Sequence, residues 1–396
     1  MEQHFDKLAL LIKQVVGYIY PNEIELQWGL LIVVYPYITG LVAGAFILAS
    51  LEKVFKVKEV EPTYRLSLLT ALAFLFVAPL PLLAHLGHPQ RSYEIFLTPH
   101  FNSAMAMFGF VYTWYLMVVL LLEIWFDYRK DLVNWSNNEK GIKKIIHWIL
   151  SLGSRDISEP AVTFDRKAVH LITLVGIPSA FLLHGYVGFL FGSVKANPWW
   201  SSVLIPIVFL FSAIVSGIAM VLLLYYLTSM FRKKEVDMRC MDKLASFLLY
   251  AIILDFSLEL LDFVHRIYES EESIKILSQL IFSKLFISLT IVQILLGTIL
   301  PLILLTISRY SHIPAELKRV VYFISALLVQ VGIFSTRWNV VIGGQLFSKS
   351  LRGLTVYKME VGGAEGLFSA LGFLILPFII LYILIKIFPP WEESKT

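Results

Sequence analysis

Leu244-Ala-Ser-Phe-Leu-Leu-Tyr-Ala-Ile-Ile-Leu-Asp255-Phe-Ser-Leu-Glu259-Leu-Leu-Asp262-Phe-Val-His265-Arg266 is an apolar run that turns charged along one side towards its end. Asp255, Glu259, Asp262 and Arg266 recur at i, i+4, i+7 and i+11. At about 100° per residue these four fall within roughly 60° of one another on a helix, with His265 at the edge of the same face. Asp255 and Asp262 are then about 10 Å apart along the axis. A carboxylate facing lipid costs roughly 2.5 kcal/mol or more at the bilayer centre, so the stripe has to face protein or water. Two readings stay open: structural charges neutralised by neighbouring helices, or ionisable groups that pass protons.

The rest of the chain has the same character. Of its 396 residues, 58% are hydrophobic and 16% charged, where a soluble domain carries about 25% charged residues. Mean hydropathy is +0.75. The fold class is therefore all-α, a polytopic integral membrane protein. Apolar runs long enough to cross a bilayer lie at about 28–51, 65–86, 103–126, 168–191, 203–228, 243–264, 280–308, 319–343 and 364–387. That makes nine spans, or ten if the N-terminal segment also crosses. The net charge of +4 does not point to nucleic acid. The single cysteine, Cys240, excludes a disulfide framework and any Cys-ligated iron–sulfur or zinc site within the chain.

Residues 1–27 lack a small-residue cleavage pattern. Leu8, Leu11, Ile12, Val15 and Ile19 share one face, which predicts a short interfacial helix ending at Pro21. Lys and Arg concentrate in alternate connections, above all 52–65, 127–167 and 229–243. This side is expected to be cytoplasmic, with the N-terminus outside and the C-terminus inside the cytoplasmic membrane of a prokaryote. The long connection 127–167, with a helical piece at 141–152, reads as a segment lying on the membrane surface. Trp199 and Trp200, in a short outer loop, fit an interfacial aromatic belt.

Polar groups cluster towards the predicted outer side. Span two ends in His85-Leu-Gly-His88-Pro-Gln-Arg91, span four carries His184-Gly-Tyr186, and span eight carries Arg337-Trp-Asn339. A buried arginine needs a carboxylate, so Arg337 is expected to pair with Glu259 or Asp262. The inner half offers Glu123, Asp165, Arg166 and His170. With Asp255 and Glu259 these outline a proton path, which Tyr35, Tyr37 and Gln293 are placed to line. His85 and His184 are the one histidine pair at roughly matched depth, the minimum for bis-His haem, and no second pair accompanies it.

Several of these stretches resemble a known family. Ile38-Thr-Gly-Leu-Val-Ala-Gly-Ala-Phe46 is similar to the glycine-rich first helix of the polysulfide reductase membrane-subunit (NrfD-like) family. His85–Arg91 resembles its (Asp/His)-Leu-Gly-x-Pro-x-Arg signature. Residues 176–200 and 337–345 look like the longer branch, which includes membrane subunits of certain hydrogenases, sulfur-compound reductases and alternative complex III. The resemblance runs from residue 28 to about 345. Residues 346–396 then form an extra span and tail.

The resemblance implies a core of eight helices in two four-helix bundles. It implies a haem-free subunit that exchanges electrons with quinone, menaquinone or ubiquinone, near the outer face. An outer-side four-cluster iron–sulfur protein and a large catalytic subunit would be its partners. That subunit would hold a molybdopterin in a polysulfide, sulfur or tetrathionate type of reductase, or would be a hydrogenase. Iron–sulfur clusters and molybdopterin would lie only in those partners, and this chain would be the enzyme's membrane subunit. The better-studied short members carry a His in the first helix, where this span offers Tyr35 and Tyr37. Quinone binding is expected between spans one to four, bounded by the His85–Arg91 corner. The candidate residues are Tyr35, His85, His88, Arg91, His184, Asp262, His265, Arg337 and Asn339. The rival reading is an ion-coupled secondary transporter using the intramembrane carboxylates.

Overall fold

The structure is a computed structural model that describes residues 12–98, 100, 102–268 and 273–391. Among them are nine helices long and apolar enough to span a membrane. They are Leu30–Lys53, Lys58–His85, Met107–Asn138, Glu159–Gly192, Ile205–Phe231, Met238–Tyr268, Phe286–Tyr310, Ala315–Gln345 and Leu367–Ile387, here spans one to nine. Spans one to four form a first group and five to eight a second, the two packed extensively on each other through spans one, four, five and eight, while span nine lies against span two. Each predicted span is present.

Several helices run well past their apolar stretch. Span three continues to Asn138 and span four starts at Glu159, because the charged ends find one another. Arg65 donates to Asp127 at 2.8 Å and reaches Asp131 at 2.8 Å. Arg129 bridges to Asp165 at 2.6–2.9 Å. These pairs tie spans two, three and four together at the predicted inner end. Between spans three and four the helix Ile142–Leu150 exposes Ile142, Ile145, Trp148 and Ile149, the pattern of a helix seated in an interface.

The two groups meet at spans one and five. A Cβ added to Gly44 would sit 1.9 Å from the carbonyl oxygen of Ala213, and one on Gly217 would sit 2.4 Å from Cα of Gly44. The two backbones are in direct contact, and close approach of this kind holds membrane helices together where no hydrophobic drive exists between them. Gly297 and Gly332 repeat the device between spans seven and eight. Span two breaks at Ala78–Pro79 before a last short helix, Leu80–His85. Span seven opens with wide π-type turns over Phe286–Ile299.

Two expectations need correction. Trp200 is not part of an interfacial belt: it is 6% exposed, stacks on Trp28 at 5.3 Å and donates from its indole nitrogen to the carbonyl of Val340 at 2.6 Å. Gly344 makes the room for it. The N-terminal interfacial helix lies partly outside the described residues, and it does not reach Pro21. Val16–Gly17 (β1) instead pairs antiparallel with Gly353–Leu354 (β2). Glu23, Ile24 and Trp28 then bond to Ser348, Thr355 and Gln345, so this segment closes the predicted outer end.

Gly44→Ala should destabilise the protein by roughly 1–3 kcal/mol or more through overpacking. Gly372→Ala, where a Cβ meets nothing within 4 Å, should leave stability unchanged. Thermal unfolding of the two variants in the same detergent checks this.

Candidate functional site

The span-six stripe faces protein, as the cost of a lipid-exposed carboxylate demands. Asp255 and Arg266 are buried, whereas Leu254, Leu260, Leu261 and Val264 on the other sides are exposed. The four residues do different things. Arg266 donates to Asp262 at 2.9 Å and to the carbonyl of Pro198, and the Ser202 hydroxyl also bonds Asp262. Glu259 accepts from the Gln293 amide at 3.2–3.3 Å. Gln293 in turn accepts from Asn339 at 2.8 Å, and Asn339 accepts from Ser288 at 2.6 Å. One oxygen of Asp255 has no hydrogen-bond partner among the described residues.

Arg337 is fully buried, and its direct pairing with a carboxylate does not form. Its terminal nitrogen donates to the Ser212 hydroxyl at 2.6 Å and meets Nε2 of His184 at 3.2 Å. The guanidinium lies 4.1 Å from the Phe209 ring centroid. Arginine can only donate, so Nε2 accepts and the imidazole proton is assigned to Nδ1. Nε and the other terminal nitrogen of Arg337, and Nδ1 of His184, have no partner among the described residues. Asp255 and Glu259 are near enough to act on Arg337 through space, without a direct bond to it. The correction has a geometric cause. Asp262 is committed to Arg266 and Glu259 to Gln293, while Ser212 and Phe209 of span five occupy the guanidinium. His184 also lies against Gly40, where a Cβ would be 3.2 Å from its ring. This cluster therefore joins spans one, four, five, six and eight.

The predicted outer end of the first group has a different character. The Tyr35 and Phe108 rings meet edge to face at 5.4 Å, and Tyr186 stacks on Phe108 at 6.4 Å. Both tyrosine hydroxyls are enclosed; that of Tyr35 has no hydrogen-bond partner among the described residues, and that of Tyr186 has the Phe108 backbone beside it. Nδ1 of His85 is 3.0 Å from the Glu365 carboxylate. Arg91 is exposed and paired with Glu94 at 2.8 Å, and His88 lies 3.4 Å from Gln90. His265 is exposed on span six. Beside this end, burial raises the Tyr357 phenol above its ordinary pKa while its oxygen accepts from the Leu30 amide at 3.1 Å.

Towards the predicted inner end, Glu123 is fully buried, and one of its oxygens accepts from Thr173 at 2.8 Å and Tyr64 at 3.2 Å. Its other oxygen has no partner among the described residues. Asp165 is held by Arg129, and Nδ1 of His170 is 3.2 Å from the carbonyl of Lys53. Tyr37 donates to Gln330 at 2.7 Å. Sequence reasoning missed Tyr186, Ser212 and Phe108. Tyr186 was within reach as the third residue of the His184-Gly-Tyr triplet, but a serine and a phenylalanine in apolar runs carry no signal.

The family described as "Polysulphide reductase, NrfD" matches residues 21–349. The chain is 34% identical to a selenate reductase subunit of Mesobacillus selenatarsenatis over 80% of this chain and 73% of that protein. It is 29% identical to a putative dimethyl sulfoxide reductase membrane subunit of Halobacterium salinarum, over 53% of this chain and 46% of that one. Identity to an Hdr-like menaquinol oxidoreductase integral membrane subunit of Archaeoglobus fulgidus is 23%, over 56% and 47% of the two chains.

Arg337→Met should be strongly destabilising, by roughly 3–5 kcal/mol, because it leaves buried carboxylates without their compensating charge. Adding Asp255→Asn to Arg337→Met should recover part of the loss. Denaturation midpoints of the single and double variants measure the coupling.

Proposed function

The chain belongs to the polysulphide reductase NrfD family, and on that premise we propose that it is the quinone-reactive membrane subunit of a respiratory oxidoreductase complex. The observation that carries this reading is the pair of enclosed hydroxyls of Tyr35 and Tyr186 beside Phe108, that of Tyr35 without a partner among the described residues. An enclosed hydroxyl left unsatisfied costs about 1–3 kcal/mol. A quinone carbonyl accepts from such a group, and a hydroquinone hydroxyl donates to it. Tyr35 lies about 7 Å inside the start of span one, a depth that suits a ring whose tail stays in lipid. His85 lies at the same end of the bundle, against Glu365 beside the start of span one. His184 is two residues from Tyr186 and one contact from Arg337.

Oxidation of one hydroquinone releases two electrons and two protons, and reduction takes up the same. The electrons pass between the ring and an iron–sulfur protein docked at the same end, which exchanges them with a large catalytic subunit. The names of the similar proteins, a selenate reductase subunit and a dimethyl sulfoxide reductase subunit, support a molybdopterin reductase of sulfur compounds or related oxyanions as that partner. The menaquinol oxidoreductase subunit supports quinone as the membrane-side reactant. In this reading the His85–Arg91 end faces outside, as the distribution of Lys and Arg favours.

Protons use the chain's buried ionisable groups. Asp255 and Glu259 lie at mid-depth beside the Arg337 cluster, and Glu123, Asp165 and His170 continue towards the inner end. Each of Asp255 and Glu123 keeps an oxygen without a partner among the described residues, which suits a group that exchanges a proton with water.

Tyr35→Phe and Tyr186→Phe should each weaken binding of a quinone analogue about tenfold while leaving assembly intact, the size expected for one hydrogen bond. Analogue binding to the purified full chain tests this, and unchanged affinity in both variants removes the assignment. Asp255→Asn should assemble with its partners yet slow quinone-linked turnover or uncouple it from proton uptake. Liposome assays in which turnover and proton uptake both match the parent protein would return span six to a purely structural role.

A further inference from the structure

Spans five to eight line a cavity of about 280 Å³ that takes in Asp262 and Asn339 but not Tyr35, Phe108 or Tyr186. Its walls are apolar and aromatic, with Phe209, Phe256, Phe263 and Leu289 among them, and Leu260 and Phe263 at its edge are exposed on the lipid-facing side. The short helix Ile274–Ser283 contributes Ile281 beside the predicted outer end. The volume is just under the roughly 300–1,000 Å³ of small-molecule pockets and suits one ring system whose tail leaves towards lipid.

Besides Trp199 and the hydroxyls of Thr290 and Thr336, the polar side chains of this cavity are two carboxylates, two amides and a guanidinium. Glu259 and Asp262 stand one turn apart on span six and present carboxylate oxygens. The amide nitrogen of Gln293 is turned to Glu259, and that of Asn339 is turned to Gln293. Arg266 is turned to Asp262 and the Pro198 carbonyl. A carboxylate has about four lone-pair sites, and Glu259 fills them from one amide alone among the described residues. The wide turns of Phe286–Ile299 set Gln293 in this position, and such turns gather at functional sites. With the amide and guanidinium donors engaged and Glu259 keeping spare acceptor sites, the cavity favours a ligand that donates.

We propose that the cavity between spans five to eight is a second binding site, selective for the reduced, hydroquinone form over the quinone. A hydroquinone donates two hydroxyl protons in hydrogen bonds, one of them to Glu259. A quinone offers only carbonyl acceptors, which face the carboxylates unfavourably. Binding alone is proposed, with no electron transfer at this site. The inference rests on the proposed function in one respect, that quinone is this subunit's reactant.

The test uses the full chain in quinone-free lipid nanodiscs, titrated calorimetrically with menadiol kept reduced and with menadione. Menadiol should bind with an additional equivalent that menadione lacks. Leu289→Trp, which fills the cavity while keeping every polar side chain that lines it, should remove that equivalent and leave menadione binding as it was. Glu259→Gln exchanges an acceptor for a donor and should lower the preference for the reduced form about tenfold or more. Equal stoichiometry for the two forms overturns the proposal, as does an additional equivalent that survives Leu289→Trp, or a phospholipid found holding the cavity against menadiol. Binding that responds to Tyr35→Phe and Tyr186→Phe but not to Leu289→Trp sinks this site and keeps the first. The opposite pattern keeps this site and sinks the first, and no binding of either form removes the quinone reading itself.

Discussion

Spans one and five touch backbone to backbone at Gly44 and Gly217, and the relation between the two helix groups depends on that contact. With a side chain at either position the helices would stand further apart. Arg337, on span eight, could then no longer reach His184 on span four across the Ser212 and Phe209 turn of span five. Gly188 and Gly40 extend the same logic, giving span five and His184 room against their neighbours. Van der Waals contact between small residues is the main force available here, since lipid is as apolar as the helix surfaces themselves.

The protein neutralises buried charge in two ways. At the predicted inner end, Arg65 and Arg129 hold Asp127, Asp131 and Asp165 in direct, short ion pairs. Such pairs leave little freedom and join helices end to end. At mid-depth, Arg337 is surrounded by a hydroxyl, a neutral imidazole and an aromatic face, with its carboxylates at a remove. Partners that are not locked together can change protonation or contact without breaking a bridge. That freedom is what a group exchanging protons requires.

The same contrast governs the two aromatic sites. The Tyr35–Phe108–Tyr186 group offers hydroxyls that can donate or accept. In the cavity of spans five to eight, Glu259 is a carboxylate that accepts from one amide among the described residues. Both lie in the half of the membrane nearer the His85–Arg91 corner, where the segment from Val16 to Trp28 and the stretch around Gln345–Thr355 close the end of the bundle.

Hydropathy alone determined the nine spans and their order, because a bilayer admits no unsatisfied backbone and each crossing needs a long apolar helix. The period of the span-six charges likewise determined that Asp255, Glu259 and Asp262 share a buried face, since lipid cannot solvate them. Only the tertiary structure decided which partner each charge takes. Arg337 and Glu259 read as natural partners at similar depth, yet Gln293 and Asn339 occupy Glu259, and Ser212 and His184 occupy Arg337. Depth along a span is legible from residue number, but rotation and neighbour identity are not. Tyr186, Phe108 and Ser212 joined the sites for the same reason: which side chains meet is set by how helices far apart in sequence pack at their glycines, and no local pattern in any one helix records it.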